Sequence, residues 1–197
     1  LMKNAIILHG CPEKDEYYNP RNPSESNAHW LPWLAKELLI RDIHAVTPEI
    51  PHSYEPVYSV WCREVERFEI GPETVLVGHS CGGGFWLRYL SEHPELRVNK
   101  VVLVAPWFDP NRTIPDHFFD FAPDREVVRR TKGVSIFHAD DDGDSVQWSL
   151  DFAAKTFDGL KFIRMNGYGH FTYWNLQTQR FPELLTEIVG NQRPRAV

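Results

Sequence analysis

Three groups of residues along this chain could together carry out nucleophilic catalysis. Ser80 lies in residues 78–82, Gly-His-Ser-Cys-Gly, which have the form Gly-x-Ser-x-Gly. An aspartate-rich segment follows at residues 140–144, and His170 lies further on in residues 167–171. A serine hydroxyl becomes a strong nucleophile when an imidazole removes its proton, and a carboxylate can orient that imidazole. These residue types therefore predict covalent catalysis on Ser80.

The residues around Ser80 predict a turn that exposes its hydroxyl. An apolar run at residues 74–77 indicates a strand, and a segment with helical periodicity follows the motif. In a strand-turn-helix of this kind the serine is strained, and its flanking glycines let the strand and the helix approach closely. The pentapeptide alone also occurs in turns that serve packing only. The interpretation therefore depends on an acid and a histidine later in the chain.

Short apolar runs alternate with helix-period segments along the whole chain, as in sheets whose two faces are covered by helices. We predict an α/β fold: a three-layer α/β/α sandwich with a mostly parallel, six-stranded sheet, in one domain over residues 1–197. The six predicted strands are residues 4–8, 43–46, 75–77, 101–105, 134–137 and 160–165.

Two stretches fall outside this alternation. Residues 13–27 are polar and rich in Asn, Pro and Ser, which indicates a surface loop near the end of the first strand. Residues 107–132 lose clear periodicity and contain several aromatic, Asp and Pro residues. We expect the second stretch to form a short cap or lid at the sheet edge that carries Ser80.

The predicted fold brings the candidate acid and base to the same edge as Ser80. The fifth strand ends in the aspartate-rich segment and the sixth in the segment that contains His170. The chain order of serine, aspartate and histidine is the one used by α/β-hydrolases. His170 is the predicted base. Asp142 is the preferred acid, because Asp142 followed by Gly143 and, four residues on, by Val146 resembles the turn that closes the acid loop in this fold. Asp141 and Asp144 remain alternatives.

The oxyanion of an acyl-transfer intermediate requires two backbone N–H donors. We expect one from Cys81, directly after the nucleophile, and the other from Cys11, which follows His9-Gly10 at the end of the first strand. Trp30 and Trp107 are the candidate walls of a substrate pocket, since aromatic side chains commonly line such pockets.

Four segments together resemble a known family: Ile-Ile-Leu-His-Gly at residues 6–10, the motif at 78–82, Asp-Asp at 141–142 and Gly-His-Phe at 169–171. They are similar to the small α/β-hydrolases of the retinoblastoma-binding-protein-nine type, which are compact serine hydrolases. The resemblance spans essentially the whole chain. It implies a six-stranded core without the extra N-terminal strands of larger hydrolases, and a triad of Ser80, Asp142 and His170.

Composition and charge exclude several other classes of protein. The net charge of −6 and the scattered basic residues argue against a nucleic-acid or anionic-membrane surface. No apolar run has the length of a membrane span. The three cysteines lack disulfide or metal spacing, so we expect free thiols and a cytoplasmic protein. His138 and the aspartates after it do not match a calcium loop, and we expect no metal and no cofactor.

We therefore predict a serine hydrolase that cleaves a small carboxylic ester, thioester or amide through an acyl-enzyme on Ser80. Its partner is a small-molecule acyl substrate. The alternative is a catalytically weak protein of the same fold that acts as a ligand- or protein-binding module, because a fold does not guarantee a function. The oligomeric state is left open by the sequence.

Overall fold

A computed structural model describes residues 3–114, 117–190 and 192–194. Its centre is a six-stranded parallel sheet with the strand order β2-β1-β3-β4-β5-β6. The strands are β1 (Asn4–Leu8), β2 (His44–Val46), β3 (Thr74–His79), β4 (Lys100–Val104), β5 (Val134–Ala139) and β6 (Lys161–Met165). This confirms the predicted α/β class and the six strands, and every pairing is parallel.

Seven α-helices and two 3-10 turns connect and cover these strands within the described residues. The helices are α1 (Lys14–Tyr17), α2 (Leu31–Leu39), α3 (Tyr58–Val65), α4 (Cys81–Glu92), α5 (Asp144–Thr156), α6 (Tyr173–Leu176) and α7 (Pro182–Val189). The 3-10 turns are Glu25–Asn27 and Val127–Arg130. No helix in the described part of the chain is long and apolar enough to cross a membrane.

The sheet is buried most deeply where it carries Ser80. Every residue of β3 is buried, whereas the edge strands β2 and β6 are half-buried or exposed along their length. Continuous burial of successive residues means that both faces of the central strands are covered, because side chains alternate between the faces. Parallel pairing aligns the carboxyl ends of neighbouring strands, so the loops that follow them meet at one edge of the sheet.

The two stretches without predicted elements differ in how they fold. Residues 13–27 contain the short helix α1 and a 3-10 turn, which the polar composition did not indicate. The described part of residues 107–132 contains one 3-10 turn and is otherwise irregular. Two of its positions, 115 and 116, lie outside the described residues. The assignment of this segment as a cap or lid stays a prediction.

Aromatic packing fixes the segment after β4 to helices α3 and α4. The buried ring of Phe118 packs edge-on against Trp61 of α3, with ring centroids 5.3 Å apart, and also contacts Tyr58 and Phe85. Arg88 of α4 lies 3.5 Å above the Tyr58 ring and donates to the carbonyl oxygen of Phe118. Full burial of one such ring contributes roughly 1.5–3 kcal/mol. This segment is therefore held by its side chains and not by regular backbone structure.

Candidate active site

Ser80 lies in a strained backbone conformation between β3 and α4. Its φ of 52° and ψ of −119° are unusual for a residue with a side chain. Backbone bonds on both sides maintain this conformation: the Ser80 N–H donates to Val104, and the Ser80 carbonyl oxygen accepts from Gly83 and Trp107, at 2.9, 2.9 and 3.1 Å. The turn therefore keeps the Ser80 side chain at the carboxyl edge of the sheet.

The glycines of the motif are required by close backbone contacts. A Cβ atom at Gly78 would lie 2.5 Å from the carbonyl oxygen of Gly82. A Cβ atom at Gly82 would lie 2.5 Å from the carbonyl oxygen of His9, in the loop after β1. Both distances are far below van der Waals contact, so the turn can close only with glycine at these positions.

His170 and Asp142 are in direct contact at the same edge of the sheet. The Nδ1 atom of His170 lies 2.9 Å from one carboxylate oxygen of Asp142 and 3.2 Å from the other. The Gly143 N–H also donates to this carboxylate, at 2.8 Å. The Asp142 side chain is 6% exposed and that of His170 is 32% exposed. An Nδ1–H that donates to a carboxylate leaves Nε2 as the free proton acceptor.

The neighbouring aspartates position the loop that carries His170. Asp141 accepts from the Gly169 N–H at 2.9 Å, and Asp140 accepts from the Gly167 N–H at 3.0 Å. Gly167 and Arg164, which lies 3.2 Å from Asp140, hold the pKa of the Asp140 carboxyl below its ordinary value. Asp144 is the exposed first residue of α5. Of the three candidate acids, Asp142 is therefore the one that touches His170.

Two further histidines support the position of His170. The Nε2 of His79 donates to the carbonyl oxygen of His170 at 2.8 Å, and the two ring centroids are 5.1 Å apart. His29 packs edge-on against His79, and its Nδ1 accepts from the Tyr173 N–H at 3.1 Å. Burial is the main cause that lowers the pKa of His79 well below its ordinary value and that of His29 to about 4. Both rings are therefore neutral at neutral pH.

A cavity of about 530 Å³ opens at this edge of the sheet. Ser80, Asp142 and His170 all line it. Of the two predicted pocket walls, Trp107 lines the cavity and Trp30 does not. Trp30 is fully buried behind the site, where its ring packs against His79 with the centroids 5.7 Å apart. The prediction for Trp30 is corrected on this point, because the ring supports a histidine instead of facing the cavity.

The expected oxyanion donors also lie at the cavity. Cys11 and Cys81 both line it. Cys81 is the first residue of α4, and the first N–H groups of a helix have no acceptor within the helix. The Cys11 N–H follows β1 and has no hydrogen-bond partner among the described residues. These two backbone donors are therefore available to a bound oxyanion.

Other residues of the cavity carried no signal in the sequence. Thr113 and Ile114 line it because buried Asp109 accepts from both of their N–H groups, at 2.8 and 2.7 Å. Glu13 and Tyr54 also line it. All four come from irregular segments whose positions depend on tertiary contacts, so no periodicity or motif identifies them. No group of three or more potential metal-ligating side chains occurs in the described parts of the chain.

A parallel sheet of this topology, with a strained serine between β3 and α4, has the architecture of the α/β-hydrolases. The model of the family described as serine hydrolase matches residues 21–186. The chain therefore belongs to the serine hydrolase family.

Individual relatives agree with this assignment. The protein YdeN of Bacillus subtilis (strain 168), whose name assigns it provisionally to the hydrolases, is 28% identical over 149 residues, which cover 72% of each chain. The crystal structure of the ydeN gene product from B. subtilis superimposes with a TM-score of 0.74 at 24% identity, over 94% of this chain and 96% of that one. Est1E from Butyrivibrio proteoclasticus has a TM-score of 0.61 at 15% identity, over 97% and 88% of the two chains. These structures share the fold.

Proposed function

We propose that this protein cleaves a small carboxylic ester, thioester or amide through an acyl-enzyme on Ser80. The observation that carries the proposal is the 2.9 Å contact between His170 and Asp142 in the cavity that Ser80 also lines. A strained serine, an imidazole with a free Nε2 and a largely buried carboxylate are the groups that activate a hydroxyl for acyl transfer. The proposed reaction uses no metal and no cofactor.

In this mechanism the Nε2 atom of His170 removes the Ser80 proton as the hydroxyl attacks the carbonyl carbon. Asp142 keeps the imidazole in the required tautomer and stabilises the imidazolium that forms. His170 then gives the proton to the departing alcohol, thiol or amine. Water attacks the acyl-enzyme in the second half-reaction, again with His170 as the base, and free Ser80 is restored.

The backbone N–H groups of Cys11 and Cys81 would bind the tetrahedral oxyanion. The loss of one such donor typically lowers the rate about 10²- to 10³-fold. Since the donors are backbone groups, the positions of the loops matter more than the cysteine side chains. Gly82, directly after Cys81, packs closely against the carbonyl oxygen of His9, two residues before Cys11. This contact therefore joins the two loops.

The cavity favours a small acyl group with an apolar or aromatic body. Its volume of about 530 Å³ lies in the usual range for small-molecule sites, and Trp107, Tyr54 and Ile114 supply apolar surface. The structural neighbour Est1E has been solved with ferulic acid bound, at a TM-score of 0.56 and 13% identity. The retinoblastoma-binding-protein-nine type remains our proposed subgroup within the family.

Hydrolysis of a series of p-nitrophenyl esters of increasing acyl length tests this function. We expect a rapid burst of nitrophenol followed by slower turnover, and an acyl adduct on Ser80 in the intact mass. Ser80→Ala should lose the burst and the turnover. Ser59→Ala, which changes an exposed serine of α3, is the matched control and should behave as the wild type. A burst that persists in Ser80→Ala would contradict the proposal, and a folded wild type without turnover would favour a binding module.

A further inference from the structure

Two of the three cysteines, Cys11 and Cys81, directly follow Gly10 and Ser80, whose segments meet beside the cavity. In the pairing of β1 with β3, Leu8 lies opposite Gly78. Two residues beyond this pair, the two segments reach Gly10 and Ser80, which directly precede Cys11 and Cys81. A Cβ atom at Gly10 would lie 3.1 Å from the Cβ of Ser80, which shows that the two loops stay adjacent beyond the ends of the strands. Disulfides span Cα separations of roughly 4.4–6.8 Å, so cysteines must lie on adjacent segments to form one.

The two thiols also interact and open onto the same cavity. Cys11 is half-buried, Cys81 is 1% exposed, and both line the catalytic cavity. Burial raises the pKa of the Cys11 thiol well above its ordinary value, and the nearby Cys81 thiol raises it further. The third cysteine, Cys62, lies on α3 beside Tyr58 and does not line this cavity.

We propose that Cys11 and Cys81 form an oxidation site, at which a peroxide generates a disulfide between the two loops that would bind the oxyanion. The more accessible Cys11 attacks hydrogen peroxide, so that its sulfur takes one oxygen as sulfenic acid and water leaves. The Cys81 thiol then attacks the Cys11 sulfur, an S–S bond forms, and a second water molecule leaves. Peroxide is the oxidant, the two thiols are oxidised, and a dithiol reductant reverses the reaction.

The cross-link would stop hydrolysis for a geometric reason. Both cysteines belong to the loops whose N–H groups would bind the oxyanion. A covalent bond between their side chains would pull these loops together and move the N–H groups away from the oxyanion. The expected loss of hydrolysis rests on the proposed function, whereas the formation of the cross-link does not. The thiolate is the reactive form, and the pKa of Cys11 is raised, so cross-linking should be faster at about pH 9 than at about pH 7.

The experiment treats the reduced protein with hydrogen peroxide and reads the intact mass, the peptide map and ester hydrolysis. We expect a product lighter by two hydrogen atoms, a peptide that joins Cys11 to Cys81, and a loss of activity that dithiothreitol reverses. Cys62→Ser is the matched control, since Cys62 is also half-buried and burial raises its pKa to about 11. It should cross-link and lose activity as the wild type does. Cys11→Ser should form no intramolecular bridge.

Three results would overturn this proposal. The first is a bridge that includes Cys62, and the second is addition of oxygen to Cys11 without a bridge. The third is a Cys11–Cys81 bridge in an active enzyme whose hydrolysis does not change. If the reduced protein hydrolyses no ester, the mass and the peptide map still decide whether the site exists, so failure of the proposed function and failure of this site are separable.

Discussion

The two sides of the cavity are held in different ways. On the side of β5 and β6, three consecutive aspartates each accept a hydrogen bond from the loop after β6, at Gly167, Gly169 and His170. On the side of β1, the loop that begins at Cys11 combines aromatic contacts, such as Tyr17 against Tyr54 with ring centroids 5.0 Å apart, with a hydrogen bond from the Ser26 N–H to the Glu49 carboxylate. A hydrogen bond to a charged group is directional, whereas aromatic packing tolerates several arrangements.

This difference indicates a division of roles. In the proposed mechanism, the side with directional bonds carries His170, which exchanges a proton with Ser80, and small errors in its geometry are costly. The side with aromatic packing supplies backbone donors and much of the surface that a substrate would touch. We therefore expect substitutions on the first side to lower the chemical rate and those at the cavity walls to change substrate binding.

The largest effect should come from Asp142→Asn, which keeps the shape of the acid but removes its charge. An asparagine at this position leaves the imidazole without its carboxylate partner, and the loss in kcat/KM should be about 10⁴-fold. Asp140→Asn, on a carboxylate that contacts the loop but not His170, should cost less than about 10-fold. A larger loss in Asp141→Asn or Asp144→Asn than in Asp142→Asn would overturn the assignment of the acid.

Gly82→Ala tests the contact that joins the two sides. The added methyl group would lie 2.5 Å from the His9 carbonyl oxygen, which is a backbone atom that cannot move away cheaply. We expect the free energy of unfolding to fall by about 3 kcal/mol, as is typical of overpacking. Gly143→Ala is the control, because nothing lies within 4 Å of a Cβ atom there. Equal urea-denaturation midpoints for the two variants would contradict the close approach.

The stability of the protein should depend on pH through His29, which links the loop after β1 to His79. Its pKa is about 4 in the folded protein against an ordinary value of 6.5, so the unfolded chain binds more protons between these values. The free energy of unfolding should therefore be highest above about pH 6.5 and fall by roughly 3 kcal/mol as the pH drops toward 4.

The variant His29→Gln tests whether His29 causes this pH dependence. Glutamine keeps an acceptor for the Tyr173 N–H but does not titrate, so part of the decline should disappear. A residual decline is expected from His79, whose pKa is also lowered by burial. Urea denaturation at several pH values measures both proteins, and identical slopes for wild type and variant would rule out the role of His29.

The smallest effect should come from Asp109→Ala, which releases one wall of the cavity. Asp109 accepts from the backbone of Thr113 and Ile114, so its loss should loosen both residues without a direct effect on Ser80. We expect KM to rise about 10-fold while kcat stays within a factor of about three, because binding contacts are lost but the chemical groups stay in place. Asp120→Ala, on an exposed carboxylate, is the control. A fall in kcat alone would argue against this role.

The sequence predicted those parts of the molecule that local patterns encode. The apolar run before Gly78 and the helical period after Gly82 identify β3 and α4, because burial on both faces and a 3.6-residue period are visible in residue types. Parallel alternation then places the loops that contain Asp142 and His170 at the edge that carries Ser80. The sequence favours Asp142 over the adjacent aspartates, and Asp142 is the aspartate that contacts His170 in the structure.

The walls of the cavity could not be predicted in the same way. Thr113 and Tyr54 reach it because of packing between segments that are distant in the chain, and such packing leaves no period in either segment. Trp30 shows the opposite case: its residue type suits a pocket wall, but a ring near a strand end can equally be buried against a histidine. Residue type alone does not distinguish an exposed aromatic ring from a buried one.

The most direct test of the account is covalent labelling of the purified chain with a fluorophosphonate, read by intact mass. The central claim is that His170, oriented by Asp142, activates Ser80, so the wild type should gain one adduct on Ser80. Ser80→Ala should gain none, and His170→Ala should react more slowly by about 10³-fold or more. If His170→Ala labels as fast as the wild type, or if the adduct lies on another residue, the proposed catalytic site is wrong.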